Sequence, residues 1–111
     1  MNYFEYGDLK KFPEVGGFAS EEMKSFFEYY MKVVNEPGAL TKREKALIAL
    51  AVSHSEKCAY CIDAYTTACL ETGSNPAEMT EAVHVAAAMK AGITLVHAVQ
   101  MRNHLTTKGA I

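Results

Sequence analysis

Apolar residues recur at intervals of three and four along most of the chain, which is the spacing that places side chains on one face of an α-helix. The first such segment runs from residue 20 to about residue 34. Ser20 followed by two acidic residues is typical of a helix start, because the hydroxyl can cap free N–H groups. The sequence at 35–38, Asn-Glu-Pro-Gly, predicts its end. The apolar side chains of this helix are Met23, Phe26, Phe27, Tyr30 and Val34.

Two more helices are predicted in the middle of the chain. Thr41 and Glu44 have the spacing of a capping box, and the helix that follows is apolar enough on all sides to be central. A second capping signal at 53–56, Ser-His-Ser-Glu, predicts the end of this helix and the start of a third one. The third helix is expected to run to about Thr72, with Gly73 ending it in a left-handed conformation.

The remaining residues predict a fourth and a fifth helix. Asn75 and Pro76 are the cap and the first-turn proline of the fourth helix. We expect Gly92 to break it, so that a fifth helix runs from Ile93 to about Leu105 and a frayed tail follows. No alternating pattern of useful length favours a β-strand, so the predicted fold class is all-α, with five or six helices. The side chains expected to face inward are Met79, Val83, Ala86, Ala87 and Met89 in the fourth helix, and Leu95, Val96, Val99 and Met101 in the fifth.

The N-terminal residues mix aromatic side chains with Gly and Pro, which prevents a long helix but leaves much apolar surface to bury. We interpret residues 1–19 as an ordered arm laid over its own domain or over a neighbouring subunit. Residues 20–111 then form the helical domain. The aromatic residues of the arm are Tyr3, Phe4, Tyr6, Phe12 and Phe18.

Length, charge and hydropathy limit the number of domains, the partners and the cellular location that we expect. The 111 residues are enough for one domain. A net charge of −2 provides no basic surface, so nucleic acid is not expected as a partner. The first residues lack the apolar region of a signal peptide, and no uninterrupted apolar run reaches the roughly 18 to 20 residues of a membrane span. We therefore expect a soluble, cytoplasmic protein that does not bind a membrane.

The second and fourth helices predict self-association. Both are almost wholly apolar, and so small a domain has difficulty burying both by itself. Runs of alanine, notably Ala86-Ala87-Ala88, permit close approach between helix backbones. We therefore predict a homo-oligomer in which helices from neighbouring subunits complete the core.

The candidate chemistry centres on two cysteines, Cys58 and Cys61, at the predicted start of the third helix. Positions 58, 61 and 65 share one face of a helix, so Tyr65 lies beside the two thiols. Thiols three residues apart can reach disulfide distance, and the free N–H groups of a helix N-terminus favour a thiolate. This arrangement indicates a dithiol that cycles with a disulfide. His54 is the candidate base or proton relay, and Tyr65 could donate a hydrogen bond to a thiolate or a bound oxygen.

Two other interpretations of the pair stay open on this basis. Two thiolates are half of a tetrahedral zinc site, and His54 could supply a third ligand, but no second CxxC or HxxxH supplies the rest. The thiols could also pack in the core, which is the interpretation we prefer for Cys69, because nothing charged in its immediate sequence would activate it. No metal or cofactor site is predicted.

Three stretches carry a resemblance to a known family: Glu44 to His54, Cys58-Ala-Tyr-Cys61-Ile-Asp-Ala-Tyr65, and Leu70 to Gly73. Together they resemble the carboxymuconolactone decarboxylase and alkylhydroperoxidase D-like superfamily over about residues 40–105. Stretches beginning at Gly38, Cys61, Met79 and Val96 further resemble a subgroup described as arsenosugar biosynthesis-associated peroxidase-like proteins. The resemblance implies an all-helical fold, oligomers built from trimers or hexamers, and thiol-based reduction of peroxides by the CxxC pair.

The resemblance also implies roles for single residues. Cys61 corresponds to the cysteine that attacks peroxide, Cys58 to its disulfide partner, and His54 to a histidine often present four residues before the motif. The chain departs from the family pattern at Tyr65, where members usually carry His, and at Ala46, where they often carry Glu. The usual proton relay is therefore incomplete. The decarboxylase branch generally lacks the CxxC.

The residues and the resemblance together predict a peroxidase-like oxidoreductase. Its substrate would be a hydroperoxide or an oxidised arsenic compound, and an external thiol would reduce the resulting disulfide. One alternative is a dithiol protein that binds a trivalent arsenical or a soft metal ion without turnover. The other is a lactone decarboxylase, whose activity would not need the cysteines.

Overall fold

The computed structural model describes residue 5 and residues 7–111, and every described element is helical. A 3₁₀ helix over Asp8–Phe18 precedes five α-helices, which confirms the predicted all-α fold class. The helices are α1 (Ser20–Tyr30, continued by a π-helical turn over Met31–Asn35), α2 (Lys42–Ser55), α3 (Ala59–Glu71), α4 (Pro76–Val96) and α5 (Ala98–Thr107). Tyr3, Phe4 and Tyr6 of the predicted arm lie outside the described residues.

The 3₁₀ helix packs along α1. The ring of Phe12 lies 5.1 Å from the ring of Phe27 in an edge-on arrangement. The two segments come closest at Gly16, where a Cβ atom would lie 2.7 Å from the Cβ of Met23. This part of the arm therefore lies over its own chain, while the division between arm and helical domain at residue 19 stays a prediction.

Two helices begin with a capping box. The box at Thr41 was predicted, and the predicted cap at Asn75 is also part of one. At α2 the Thr41 N–H donates to Glu44 Oε1 over 2.9 Å, and the Glu44 N–H donates to Thr41 Oγ1 over 3.1 Å. Asn75 and Glu78 make the same reciprocal pair at the start of α4, over 3.0 and 2.8 Å. The backbone N–H and the hydroxyl of Thr41 hold the pKa of the Glu44 carboxyl below its ordinary value. Each pair satisfies backbone donors that a helix start otherwise leaves free.

The end of α3 confirms the prediction for Gly73. Its φ is +92°, and its N–H donates to the Leu70 carbonyl over 3.2 Å. The next N–H, of Ser74, donates to the Cys69 carbonyl over 2.9 Å. This pair of hydrogen bonds around a left-handed residue is the Schellman arrangement that closes a helix C-terminus.

Three predictions about helix ends are wrong. Ser20 is the first helical residue of α1, and the preceding Ala19 occupies the cap position without a side-chain hydrogen bond. Gly92 lies inside α4, which continues to Val96, because one helical Gly costs only about 1 kcal/mol and its neighbours favour a helix. The chain beyond residue 105 is not a frayed tail throughout, since α5 runs to Thr107 and a left-handed Gly109 closes it.

The core lies where α2 packs against α3 and α4, so α2 is central as predicted. Its buried apolar residues are Ala46, Leu50 and Cys69, and Cys69 is fully buried. Burial raises the pKa of the Cys69 thiol, and the positive charge of Arg43 opposes this in part. The packing interpretation of Cys69 is therefore confirmed.

The inward-facing positions predicted for the end of α4 and for α5 are exposed within the single chain. Met89 is 62% exposed and Leu95 is 71% exposed. The reason is length: α4 has 21 residues and α2 has 14, so at about 1.5 Å per residue α4 extends well beyond its neighbour. The radius of gyration is accordingly 19.2 Å, compared with about 13 Å for a compact domain of about 100 residues.

The segment Pro76–Thr107, which comprises α4 and α5, is long and apolar enough to span a membrane by length and composition. Lys90 and His97 lie within it. Helices at the centre of soluble proteins meet the same two criteria, so this property alone does not assign the segment to a membrane.

Separate replacement of Gly73 and Gly92 by Ala should change stability in opposite directions. At Gly73 the positive φ strains an Ala, so we expect the free energy of unfolding to fall by about 1–2 kcal/mol. At Gly92 a Cβ would meet nothing within 4 Å, and the better helix former should raise that free energy by about 0.5–1 kcal/mol. Urea denaturation at one protein concentration measures both changes. A loss at Gly92 equal to that at Gly73 would contradict the uninterrupted helix.

Candidate functional site

The turn between α2 and α3 sets the position of the two cysteines. Lys57 has a φ of +55°, and its N–H donates to the His54 carbonyl over 3.2 Å. The N–H of Cys58 donates to the Ser53 carbonyl over 2.9 Å. These are the two hydrogen bonds of a Schellman turn, with a lysine at the left-handed position that glycine usually takes. Residues 53–56 end α2 as predicted, but they do not cap the third helix, because Cys58 itself caps α3.

Cys58 and Cys61 form a disulfide at the first turn of α3, with their Cα atoms 5.2 Å apart. The Sγ of Cys58 also accepts a hydrogen bond from the Cys61 N–H over 3.2 Å. A sulfur at this position lies at the positive end of the helix dipole, where negative charge is stabilised. When the disulfide is reduced, the same N–H and the same dipole favour a thiolate on Cys58.

The disulfide lies on the wall of a cavity of about 900 Å³, which we call the disulfide cavity. It lies between α1 with its π-helical turn on one side and α2 and α3 on the other, and it is open to solvent, since Ile48 and Val52 on its wall are more than half exposed. Its volume is within the range of small-molecule sites, which is about 300–1,000 Å³. Its border includes two lysines and two glutamates, Lys32, Lys45, Glu36 and Glu56. Lys45 donates from Nζ to the Glu36 carbonyl over 2.7 Å. The apolar part of the wall includes Val33, Leu40, Ile48 and Val52.

Two tyrosines meet on this wall. The hydroxyl of Tyr65, one helical turn beyond Cys61, is hydrogen-bonded to the hydroxyl of Tyr30 at the end of α1. Burial raises the pKa of Tyr30, and its ring lies 5.4 Å from that of Phe26. Sequence analysis identified Tyr65 but missed Tyr30 as a site residue. The helical spacing of Tyr30 indicated only a packed aromatic, and its hydroxyl was the sole signal of another role.

His54 is oriented by its own helix. Its Nδ1 is 2.9 Å from the Leu50 carbonyl. Because a carbonyl oxygen can only accept, Nδ1 carries a proton, which leaves Nε2 of a neutral ring available to exchange one. Among the described residues, the wall of the disulfide cavity includes the neighbouring Ser53 but not His54. Its role as base or relay stays a prediction.

Metal binding has little support in this part of the chain. Among residue 5 and residues 7–111, no group of three or more His, Cys, Asp or Glu side chains is arranged to hold a metal ion. The two sulfurs are bonded to each other in the structure, and a tetrahedral site would need both as thiolates together with two further ligands.

Fold and site together define a small all-α protein with a CxxC disulfide on the wall of an apolar cavity. A profile of the carboxymuconolactone decarboxylase family matches residues 20–101. The chain therefore belongs to the carboxymuconolactone decarboxylase family, as its resemblance to the superfamily implied.

Two individual proteins are similar to it. "Uncharacterized protein 4 in cox locus" of Paracoccus denitrificans is 43% identical over 67 residues, a match that spans 60% of this chain and 60% of that protein. A crystal structure of a protein from Methanobacterium thermoautotrophicum is 34% identical, with a TM-score of 0.68 over 75% of this chain and 92% of that one. Neither description states an activity.

Replacement of Lys57 by Gly should stabilise the turn that carries Cys58. Gly adopts a positive φ without the steric cost that a Cβ imposes, so we expect the free energy of unfolding to rise by about 1 kcal/mol. Lys57→Ala is the matched control, because it removes the charge and keeps the Cβ. Urea denaturation of the oxidised proteins measures the difference. Equal stability of the Gly and Ala variants would show that the left-handed turn is not strained.

Proposed function

We propose that the protein is a thiol-dependent peroxidase-like oxidoreductase in which Cys58 and Cys61 cycle between dithiol and disulfide. The observation that carries this proposal is the disulfide itself, formed at a helix N-terminus and facing an apolar cavity large enough for a small molecule. Membership of a family that includes both decarboxylases and peroxidase-like proteins is compatible with an enzyme of this kind.

The proposed reaction has three steps. The thiolate of Cys61 attacks the terminal oxygen of a hydroperoxide, the O–O bond breaks, and the alkoxide that leaves takes a proton to become an alcohol. The thiolate of Cys58, which the N-terminus of α3 favours, then attacks the sulfenic acid on Cys61; the hydroxide that leaves takes a proton, giving the disulfide and one molecule of water. Two equivalents of an external thiol reduce the disulfide by exchange and are themselves oxidised to a disulfide.

Two side chains would transfer protons in this reaction, one as a base and one as an acid. His54 has an Nε2 that is free to take the proton of a thiol, provided that the proton passes through water or through a small movement of the ring. Tyr65 lies on the cavity wall with both cysteines, and it stands where the resemblance to the alkylhydroperoxidase D-like superfamily implies a histidine. A phenol can donate to a developing alkoxide, so Tyr65 would take over the acid role of the missing histidine.

The cavity favours an organic substrate. A wall that is mostly apolar desolvates an alkyl or aryl group, whereas hydrogen peroxide would gain nothing from most of this surface. An oxidised arsenic compound within arsenosugar metabolism is the narrower proposal, which rests on the subgroup resemblance alone. We also propose a soluble, cytoplasmic protein, since a reversible disulfide of this type needs a supply of reducing thiol.

Mass spectrometry of the intact protein tests the proposed couple. One equivalent of cumene hydroperoxide should convert the reduced protein to a form about 2 Da lighter, because two thiol hydrogens are lost. Cys58→Ser should instead trap a sulfenic acid on Cys61, and Cys61→Ser should form no disulfide and consume hydroperoxide far more slowly than wild type. Cys69→Ala is the control, since that thiol is buried outside the cavity, and it should behave as wild type.

Three outcomes would contradict the proposal. Full hydroperoxide consumption by Cys61→Ser would remove the assigned nucleophile. Stoichiometric binding of a trivalent arsenical without any oxidation would favour the dithiol binding protein. Lactone decarboxylation that survives the loss of both Cys58 and Cys61 would favour the lyase.

We further propose that the protein is a homo-oligomer, a trimer or hexamer, built on α4 and α5. The exposed apolar side chains of these helices lie on a segment that extends beyond the rest of the chain. Several of them are more than half exposed, and burial of one such side chain against a second copy is worth about 1.5–3 kcal/mol. The largest are Met89, Ile93, Leu95, Val96 and Met101.

Leu95→Glu should reduce the assembly to monomers of 12.2 kDa, because each copy would place a charge in the interface. Light scattering after size-exclusion chromatography measures the mass. Val15→Glu is the matched control, since Val15 is 66% exposed on the 3₁₀ helix. A wild-type protein that is already monomeric would contradict the proposed oligomer.

A further inference from the structure

The hydrogen bond between Tyr30 and Tyr65 joins two distant parts of the chain at the disulfide cavity. The residues are 35 positions apart, and their hydroxyls meet where α1 approaches α3. Both side chains line the cavity together with Cys58 and Cys61. Tyr65 is also four residues beyond Cys61, so the phenol and the sulfur lie on the same face of α3.

We propose that Tyr30 is a positioning residue that donates its hydrogen bond to the Tyr65 oxygen, so that the Tyr65 proton is directed into the cavity toward the departing alkoxide. This inference rests on the proposed peroxidase function and deepens it. It assigns a role to a residue of α1, outside the CxxC helix and outside the histidine pattern of the family.

Either hydroxyl of the pair could donate, and the reaction requires the arrangement in which Tyr30 is the donor. Each hydroxyl has one proton, so the donor of the pair has no proton left for a ligand, while the acceptor keeps its own. Burial raises the pKa of Tyr30 and so makes it a weaker acid toward a substrate, which leaves Tyr65, one helical turn beyond Cys61, as the group that gives up its proton. Tyr65 then retains a proton for the substrate, and its oxygen has a partner when that proton leaves.

The proton balance of the step is complete. Cys61 thiolate and hydroperoxide give sulfenic acid and alkoxide, and the alkoxide takes the proton of Tyr65 to become the alcohol. The phenolate left on Tyr65 accepts the hydrogen bond from Tyr30, which stabilises the charge, and it regains a proton from water before the next turnover. An alkoxide is a much stronger base than a phenolate, so the transfer is downhill.

The position of Tyr30 along α1 supports a specific placement of its hydroxyl. It is the last residue of the α-helical part, and the π-helical turn over Met31–Asn35 begins directly after it. Such turns widen a helix locally and occur frequently at functional sites. The ring is held by Phe26, which lies 5.4 Å away. The contact with Phe26 and the start of the π-helical turn therefore fix the position at which the Tyr30 hydroxyl meets Tyr65.

The test compares two oxidants that differ in their need for a proton. Cumene hydroperoxide expels an alkoxide, which needs an acid, whereas peracetic acid expels acetate, which does not. Stopped-flow measurement of disulfide formation gives the rate constant for each oxidant with wild type, Tyr30→Phe, Tyr65→Phe and the double variant. Tyr29→Phe is the matched control, because it removes a hydroxyl from a residue that also borders the cavity but takes no part in the hydrogen bond between Tyr30 and Tyr65.

We expect Tyr30→Phe to slow the reaction with cumene hydroperoxide about 10-fold and Tyr65→Phe to slow it about 100-fold. The double variant should be no slower than Tyr65→Phe, because the two hydroxyls act as one unit. All variants should react with peracetic acid within about twofold of wild type, since acetate leaves without a proton.

Other results would overturn the inference. If Tyr30→Phe lowers the rate constants with both oxidants equally, the hydrogen bond only holds α1 against α3 and does not position a proton. If Tyr30→Phe reacts with cumene hydroperoxide at the wild-type rate, Tyr65 needs no positioning. If wild type reacts with neither oxidant, the proposed peroxidase function fails as well, so the two failures are distinguishable.

Discussion

The hydrogen bonds that close the turn at Lys57 connect the fold to the candidate site. Because the backbone turns left-handed at this residue, the N–H of Cys58 bonds back into α2 while its sulfur caps α3. One residue thus ends one helix and starts the next. The two helices consequently lie side by side and bury Leu50 and Cys69, so the same turn that forms the core also sets the disulfide at a helix N-terminus.

The chemical character of the site depends on what surrounds that turn. The positive end of α3 and the Cys61 N–H stabilise charge on Cys58, and the largely apolar surface beside the disulfide strengthens such interactions. The wall opposite is supplied by α1, which is remote in sequence. It adds Tyr30 to Tyr65 and borders a volume that suits an organic molecule.

The same short chain leaves much of its apolar surface uncovered. The core of buried side chains is confined to the contact of α2 with α3 and α4, whereas the end of α4 and all of α5 extend past it. Exposed apolar surface of this extent is unfavourable in water. The same helices of a second copy could bury it, because they expose the same apolar side chains. In the proposed oligomer, assembly and fold would be linked through α4, whose end is not covered within one chain.

The sequence by itself determined most of the helices and the cysteine pair at the centre of the candidate site. Capping pairs such as Thr41 with Glu44, the stop at Gly73 and the CxxC spacing act over a few residues, so local pattern is sufficient to read them. Local pattern was misleading at Gly92, where neighbouring helix formers outweigh one glycine, and at Lys57, a residue that gives no sign of a left-handed turn. Only the tertiary structure showed that Tyr30 contacts Tyr65 and that α1 forms one side of the cavity beside the disulfide. Those contacts join residues far apart in the chain, and their energies depend on how whole helices pack.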